Sequence, residues 1–194
     1  MAKNCRDCGV KTCNPLMPRC YNCSIAYMQT QEFKDKKSKL KAKSDERAAK
    51  RERKRLKDRK DGLKKPAEWA KEAQTAVNRY VRLRDHLEPC ISCGRHHQGQ
   101  YHAGHYRSVG SCVELRFAVD ENIHKQCAPC NNHLSGNLIP YRVNLIKKIG
   151  QEKLDWLEGK HEAKHYTIDD FKAIKDKYNK LANELQNKID KGEL

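Results

Sequence analysis

The sequence predicts a small α+β protein that zinc holds together, with a ββα-metal module at its centre. Three observations support this fold class. Two Cys-x-x-Cys pairs with 33 residues between them bracket the stretch from Cys90 to Cys130. Two strand-like segments lie between the pairs, and a helix-like segment begins directly after the second pair. Two strands and a helix with a four-cysteine zinc site at their ends make up such a module.

The composition points to a polyanionic partner. The chain of 194 residues has room for one ordinary domain plus accessories, and it carries a net charge of +16. A positive surplus of this size favours nucleic acid as the partner. No apolar stretch approaches a membrane-spanning helix, so we expect no membrane association. The first four residues do not resemble a signal peptide, and we expect a cytoplasmic location.

The ten cysteines favour metal binding over disulfide bonds. Eight of them fall in Cys-x-x-Cys pairs, which is the spacing of zinc ligands in a reducing compartment. We therefore predict two structural zinc ions. The ligands of the central site, which has no open position for substrate, are Cys90, Cys93, Cys127 and Cys130. The ligands of the N-terminal site are Cys5, Cys8, Cys20 and Cys23.

Residues 1–31 are predicted to form a zinc ribbon. The segment is too small to fold without a metal. Cys13 lies between its two cysteine pairs and is an alternative fourth ligand. Two roles stay open for the ribbon. It is either a purely structural mini-domain, or it contacts nucleic acid directly through Lys11, Arg19 and Tyr21.

Residues 32–65 are a basic run that we predict to be a solvated helix or a partly disordered tether. From Lys34 to Lys65 the chain has 17 Lys or Arg and 6 Asp or Glu, so this run supplies 11 of the 16 surplus charges. Its residues favour helix, and a fully helical run would be about 45 Å long. We interpret it as a phosphate-binding segment, with a charged linker as the alternative. The predicted contacts include Lys50, Arg51, Arg53, Lys54 and Arg55.

Residues 66–140 hold the central module and the helix that precedes it. Pro66 suits the first turn of a helix that keeps its apolar period to about Leu87. The two predicted strands cover residues 101–106 and 115–119. Residues 123–126 lead into the second cysteine pair, and a helix is expected from Asn131 onward.

Residues 141–194 are predicted to be helical. The expected helices cover 141–149, 152–157 and, from an N-cap at Thr167, the stretch to about Ile189. In the middle helix, Leu154, Trp156 and Leu157 form the expected apolar face. We interpret these helices as scaffold or as a self-association surface.

The order of three residues around the cysteine pairs, His105, Asn122 and His133, resembles that of the HNH (His-Me finger) nucleases. The zinc-clamped form is similar to phage endonuclease VII, which resolves branched DNA. Over nearly its whole length the chain resembles the NinG (Rap) recombination protein family of lambdoid phages. The strings that carry this resemblance are Pro89-Cys90-Ile-Ser-Cys93-Gly94, Ala103-Gly104-His105-Tyr106-Arg107, Asn122-Ile-His-Lys-Gln-Cys127 and Ser135-Gly136-Asn137-Leu138.

The resemblance implies a metal-dependent nuclease. His105 would be the general base, and Asn122 would orient it through the hairpin backbone. Asn131 and His133 would lie on the side of a catalytic Mg²⁺ or Mn²⁺. In phosphodiester hydrolysis, a histidine near neutral pKa takes the proton of water and a hard cation compensates the charge on phosphate.

One position departs from the HNH pattern. Many HNH enzymes have an acidic or imidazole metal ligand directly before the base, where this chain has Gly104. Alternate residues of a strand share a face, so His102 lies on the face of residue 104. Two alternatives stay open. Either His102 replaces the missing ligand, or it is a surface residue and Asn131, His133, phosphate and water hold the metal.

The expected function is that of a structure-selective DNA endonuclease acting on branched recombination intermediates such as Holliday junctions and D-loops, in the cytoplasm of the host cell. The expected phosphate contacts of the module are Arg107, Arg116, Lys125 and Arg142. Symmetric cutting of a junction needs two sites, so a homodimer is expected. The alternatives are a zinc-dependent DNA-binding accessory without catalysis and an RNA- or ribosome-associated zinc protein.

Overall fold

A computed structural model describes residues 4–12 and 16–194 of the chain. The chain divides into two compact units, Met1–Leu63 and Lys64–Leu194. The first unit contains the helices α1 (Tyr21–Gln29) and α2 (Gln31–Gly62). The second contains, in chain order, α3 (Pro66–Arg84), β1 (Tyr101–His105), α4 (Val119–Asn122), β2 (Ile123–Cys127), α5 (Leu138–Ile149), α6 (Gln151–Glu158) and α7 (Ile168–Asp190).

The long basic run of the first unit is a continuous helix. The Thr30 hydroxyl caps α2 by accepting a hydrogen bond from the Phe33 N–H at 3.3 Å, and the helix ends at Gly62, as predicted. None of its 32 residues is buried. Helix-favouring side chains and pairs such as Glu32 with Lys36 (2.8 Å) sustain it in solvent. The structure therefore has the predicted solvated helix and not a tether.

The helices α3 and α7 pack along each other in the second unit. As predicted, α3 begins at Pro66, and Glu68 accepts from the Lys65 N–H at 2.8 Å in its first turn. Thr167 caps α7, again as predicted, because its hydroxyl accepts from the Asp170 N–H at 3.2 Å. The apolar stripes of the two helices contribute Trp69, Ala73, Val77, Phe171 and Tyr178 to the core.

The strands β1 and β2 form an antiparallel hairpin, with α3 against one face and α5 against the other. One face carries Ala103 and Ile123, which pack with Val77 of α3. On the opposite side, the carbonyl of Gly104 accepts from the Tyr141 hydroxyl of α5 at 3.0 Å. The hairpin is thus covered on both faces, which fixes its register against its neighbours.

The prediction of a second strand at residues 115–119 is wrong. Leu115 ends a 3-10 turn and Val119 begins α4, and each is 2% exposed. The apolar pattern therefore reflects burial of loop side chains and not extended backbone. The actual second strand is β2, which shows no alternation because all five of its residues are buried, three polar ones included.

Two helix starts after the cysteine pairs differ from the prediction. Pro129–His133 forms a single π-helical turn and does not continue into a helix. Ser135 and Asn137 follow with left-handed φ angles of 48° and 45°. The next helix, α5, begins at Leu138, before Pro140 and not after it. Pro140 fits there because the first-turn N–H groups of a helix have no intrahelical acceptor.

The helix α6 buries only part of its predicted apolar face. Leu154 and Leu157 are fully buried, whereas Trp156 is 51% exposed. Trp156 instead meets His161 edge to face, with 4.8 Å between ring centroids. No helix in residues 4–12 and 16–194 is both long enough and apolar enough to cross a membrane.

Candidate functional site

The four central cysteines converge at one end of the hairpin. Their sulfur atoms lie within 4.8 Å of one another, and the Sγ atoms of Cys93 and Cys127 are 4.0 Å apart. Zn–S bonds of about 2.3 Å in a tetrahedron place sulfur atoms about 3.8 Å apart. Gly94 adopts a φ of 68° and its N–H donates to the Cys90 carbonyl at 2.8 Å, which turns the backbone around the cluster. The cluster has the size and donor set to bind zinc.

The electrostatics of this cluster favour a bound dication. Burial raises the pKa of the Cys127 thiol to about 12. Burial also acts to raise the pKa of Cys90, but backbone N–H groups outweigh it and lower that pKa; the Cys127 N–H reaches the Cys90 sulfur at 3.3 Å. Four thiolates in one buried space repel each other, so their joint deprotonation requires a cation.

The N-terminal cysteines form a second, more exposed cluster. Their sulfur atoms also lie within 4.8 Å of one another, and those of Cys8 and Cys20 are 3.6 Å apart. Cys5 is buried, and its sulfur accepts from the Cys20 N–H at 3.2 Å. These four cysteines can bind a second zinc ion. Cys13, the predicted alternative ligand, lies outside the described residues.

The predicted base, His105, ends β1 and is half-buried. Its Nε2 atom is 3.2 Å from the carbonyl oxygen of Arg116. Because a carbonyl only accepts, Nε2 must carry the hydrogen, and the lone pair of the neutral ring lies on Nδ1. Burial lowers the pKa of His105 from its ordinary value of 6.5, so the ring is neutral at pH 7.

Asn122 is fully buried and ties the end of β1 to the loop that follows it. Its Oδ1 accepts from the Arg107 N–H at 2.7 Å, and its Nδ2 donates to the carbonyls of Arg107 and Leu115, each at 3.0 Å. Leu115 directly precedes Arg116, whose carbonyl contacts His105. Asn122 therefore holds both backbone segments that fix the imidazole.

The position before the predicted base has no room for a side chain. A Cβ atom on Gly104 would lie 2.0 Å from Oε1 of Gln126. The Gln126 amide is held in place because its Nε2 donates to the Ser92 hydroxyl oxygen and to the Gly136 carbonyl, both at 2.5 Å. Gln126 lies opposite His102 in the hairpin. Within the described residues, Gln126 Oε1 and His102 Nε2 are buried without a hydrogen-bond partner.

The predicted metal-side residues Asn131 and His133 lie in the π-helical turn after the second cysteine pair. Asn131 is half-buried and its amide donates to Oδ1 of Asn132 at 2.8 Å, whereas His133 is exposed. In the described part of the chain, neither His102 nor His133 belongs to a cluster of three or more His, Cys, Asp or Glu ligand atoms. Their roles as metal ligands stay predictions.

Two of the predicted phosphate contacts, Arg107 and Arg142, meet at one acidic residue. The guanidinium of Arg142 makes a two-point contact with the Glu158 carboxylate, through Nε at 2.7 Å and Nη2 at 2.9 Å. Arg107 Nη1 donates to the backbone carbonyls of Leu157 and Glu158, each at 3.2 Å. Sequence reasoning did not single out Glu158, because the partners lie far apart in the chain.

The other predicted phosphate contacts differ in how far they are exposed. Arg116 Nε donates to Gln74 at 3.1 Å, and the Lys125 ammonium donates to the His86 carbonyl at 2.9 Å. Lys125 is only 6% exposed, so little of its charge faces solvent. In contrast, the predicted contacts on α2 are all exposed: Lys50, Arg51, Arg53, Lys54 and Arg55. All of these contacts stay predictions.

Asp85 and His97 also support the module, although the sequence analysis gave neither a structural role. The Asp85 carboxylate is 4% exposed and pairs with Arg84 at 2.9 Å and Lys148 at 3.3 Å. Burial acts to raise its pKa, but the Arg84 hydrogen bond and the positive charges hold it at about 2. The Nε2 atom of His97 is 3.2 Å from the sulfur of Cys93, next to the central cluster.

Fold and site define a small helix-rich protein with a two-stranded hairpin and two four-cysteine clusters that can bind zinc. The chain belongs to the NinG family: the family model described as "Bacteriophage Lambda NinG protein" matches residues 1–188. The predicted membership of this family is thereby confirmed.

Relatives from several phages share the name "Protein ninG". The protein of Escherichia phage lambda is 50% identical over 133 residues, which cover 69% of this chain and 65% of that protein. That of Escherichia phage 933W is 49% identical over 133 residues, 69% of this chain and 66% of that protein. The protein of Salmonella phage P22 is 47% identical over 132 residues, which cover 68% of this chain and 64% of that protein. The chain thus spans about two thirds of the length of these relatives, and no solved structure matches it.

Proposed function

We propose that this protein is a metal-dependent, HNH-type DNA endonuclease that cuts branched recombination intermediates. The observation that carries the proposal is the coupling of His105 and Asn122. A half-buried imidazole receives a fixed orientation from the Arg116 carbonyl, and a fully buried amide holds the surrounding backbone. The hydrogen bond through Nε2 leaves the Nδ1 lone pair of the neutral His105 ring available to accept a proton.

In the proposed reaction, the Nδ1 atom of His105 takes a proton from the attacking water. The lowered pKa of His105 keeps this nitrogen unprotonated at pH 7, and the Arg116 carbonyl fixes the ring in the tautomer required. Asn122 contributes by positioning the loop and not by touching the substrate.

A divalent cation, Mg²⁺ or Mn²⁺, would compensate charge on the scissile phosphate. The residues proposed to hold it are His102, Asn131 and His133. The buried Nε2 atom of His102, which has no partner in the described residues, supports this choice. In the same proposal, β1, β2 and the turn at Pro129–His133 form a ββα-metal module whose four-cysteine zinc is purely structural.

We infer the substrate class from the positive charge of α2. The proposal assigns no element of the protein to reading bases. Exposed lysines and arginines on α2 bind phosphates without reading sequence, so selectivity would come from DNA shape. Symmetric cutting of a four-way junction would need two active sites, and we therefore propose a homodimer acting in the host cytoplasm.

A second candidate is a zinc-dependent DNA-binding accessory without catalytic activity. Gly104 favours it, because the position where many HNH enzymes have a metal ligand has no side chain and no room for one. A third candidate, an RNA-associated zinc protein, would rest on the basic helix alone. Binding of junction, duplex DNA and RNA at one fixed salt concentration separates the third candidate from the other two.

The decisive experiment is cleavage of a labelled four-way junction beside a linear duplex of the same sequence. Wild type, His105→Ala and the matched control His165→Ala would be compared without added metal and with Mg²⁺ or Mn²⁺, after confirming equal zinc content. His165 is an exposed histidine of the same unit, so its removal should change nothing. We expect metal-dependent junction cutting that falls about a thousandfold in His105→Ala.

The outcomes separate the candidates. If all three proteins bind the junction tightly and none cuts it, the nuclease proposal is refuted and the DNA-binding accessory role is supported. Equal loss of activity in His105→Ala and His165→Ala would show that the assay reports fold integrity and not the base.

A further inference from the structure

Glu158 lies where four hydrogen-bond donors converge. Its carboxylate takes the two-point contact from Arg142 at 2.7 and 2.9 Å and a third hydrogen bond from the Tyr106 hydroxyl at 2.5 Å. Arg107 reaches the backbone carbonyl of the same residue at 3.2 Å. A planar guanidinium fork and a phenol therefore hold the carboxylate, and a second guanidinium binds the backbone beside it.

This donor set suits a phosphodiester as well as it suits a carboxylate. A guanidinium fork binds carboxylate and phosphate with the same two-point geometry. The site is also rigid on one side, because Asn122 holds the backbone of Arg107 through its N–H at 2.7 Å and its carbonyl at 3.0 Å. Tyr106 and Arg107 directly follow the proposed base, His105, in the chain.

The carboxylate is poorly suited to its own helix. Glu158 is the last residue of α6, where the helix dipole is negative and favours a cation. The hydrogen bonds from Arg142 and Tyr106 nevertheless hold the pKa of Glu158 at about 2, so it is charged at neutral pH. The side chains of Glu158 and Arg142 are 32% and 47% exposed, so solvent and a ligand can reach the pair. The hydrogen-bond donors around Glu158, and not the dipole of α6, therefore stabilise its charged form.

We infer that Tyr106, Arg107 and Arg142 form a binding site for a DNA phosphodiester, and that Glu158 occupies this site as an internal carboxylate which the DNA backbone displaces. The inference rests on the proposed function only in taking DNA as the ligand; it does not require catalysis. Displacement exchanges one anion for another around the same donors, so no charge is left buried without a partner.

The test is Glu158→Gln, with Glu152→Gln as the matched control. Both variants remove one negative charge from α6, but Glu152 is exposed and has no ion pair among those of the described residues. Binding to a fluorescent four-way junction and to a duplex would be measured by anisotropy across a salt series. The proteins would carry His105→Ala, so that bound DNA is not cut.

We expect Glu158→Gln to bind at least about threefold more tightly than Glu152→Gln, because the internal competitor is gone. The salt dependence of its binding should steepen by about one phosphate contact. Adding Arg142→Gln should remove both gains. Binding no tighter than that of Glu152→Gln would overturn the inference and leave a purely structural ion pair.

Two further results keep the test decisive. If Glu158→Gln lowers the melting temperature, the test uses Arg142→Gln by itself. A salt dependence of DNA binding shallower than that of wild type supports the phosphate site. An unchanged salt dependence refutes it. If Glu158→Gln binds DNA more tightly but wild type cuts no DNA, the phosphate site is supported and the proposed nuclease activity is refuted.

Discussion

Gly104→Ala should destabilise the second unit strongly, although alanine is usually the better residue in a strand. The new Cβ would lie 2.0 Å from Oε1, 2.9 Å from Cδ and 3.0 Å from Cβ of Gln126. Gln126 is 0% exposed, and its amide donates to Ser92 and Gly136, so its end cannot swing freely. The Gln126 side chain must move and give up these two hydrogen bonds.

The magnitude follows from these losses. Two hydrogen bonds contribute about 1 kcal/mol each, and overpacking a buried site adds about 1–3 kcal/mol. Alanine also lowers the conformational entropy of the unfolded chain relative to glycine, which stabilises the folded state by only about 0.4–1 kcal/mol. We therefore expect Gly104→Ala to lower the free energy of unfolding by about 3 kcal/mol. For a domain of this size that is a fall of about 9 °C in melting temperature.

The assay is urea unfolding of the zinc-loaded protein, followed by far-UV circular dichroism, for a double-mutant cycle with Gln126→Ala. In the Gln126→Ala background the obstructing amide and its two hydrogen bonds are absent and only the Cβ contact at 3.0 Å remains, so Gly104→Ala should cost about 2 kcal/mol less than in wild type. Equal cost in both backgrounds, or a cost below about 0.5 kcal/mol in wild type, would refute the argument that Gln126 excludes a side chain at residue 104.

Two further predictions concern the metal clusters and pH. Cys8→Ser and Cys127→Ser should each lose one of two bound zinc ions by elemental analysis, but only Cys127→Ser should lower the unfolding free energy of the second unit, because its cluster is buried there. Burial lowers the pKa of His124 to about 3, below its unfolded value of 6.5, so the unfolded state binds the extra proton and stability falls as pH falls. Between pH 7.5 and pH 5, wild type should lose about 2 kcal/mol more than His124→Asn in urea unfolding, and parallel losses would contradict this.

Local signals in the sequence were sufficient for the zinc clusters and for most helices. The Cys-x-x-Cys spacing gave both sets of four ligands, and the structure brings each set within bonding range of one ion. Pro66 and Thr167 marked the starts of α3 and α7 because first-turn chemistry depends only on neighbouring residues. These features involve a few adjacent positions, or a metal whose coordination geometry is known in advance.

The second strand could not be found this way. Periodicity detects a strand only when one of its faces is exposed, and β2 is buried on both. Residues 115–119 carried an apolar pattern because the loop that contains them turns its side chains into the core. In both places burial was set by neighbours that are distant in the chain, so the local pattern indicated the wrong element.

The sequence by itself determined the two four-cysteine clusters that can bind zinc, most of the helices and the family, and it supplied the residues proposed for catalysis. Only the tertiary structure decided how these residues are used. It places Gln126 against Gly104, Asn122 between two backbone segments that hold His105, and Glu158 among the donors of Tyr106, Arg107 and Arg142. Each of these contacts joins residues that are far apart in the chain, and their energies depend on distances and burial that exist only after folding.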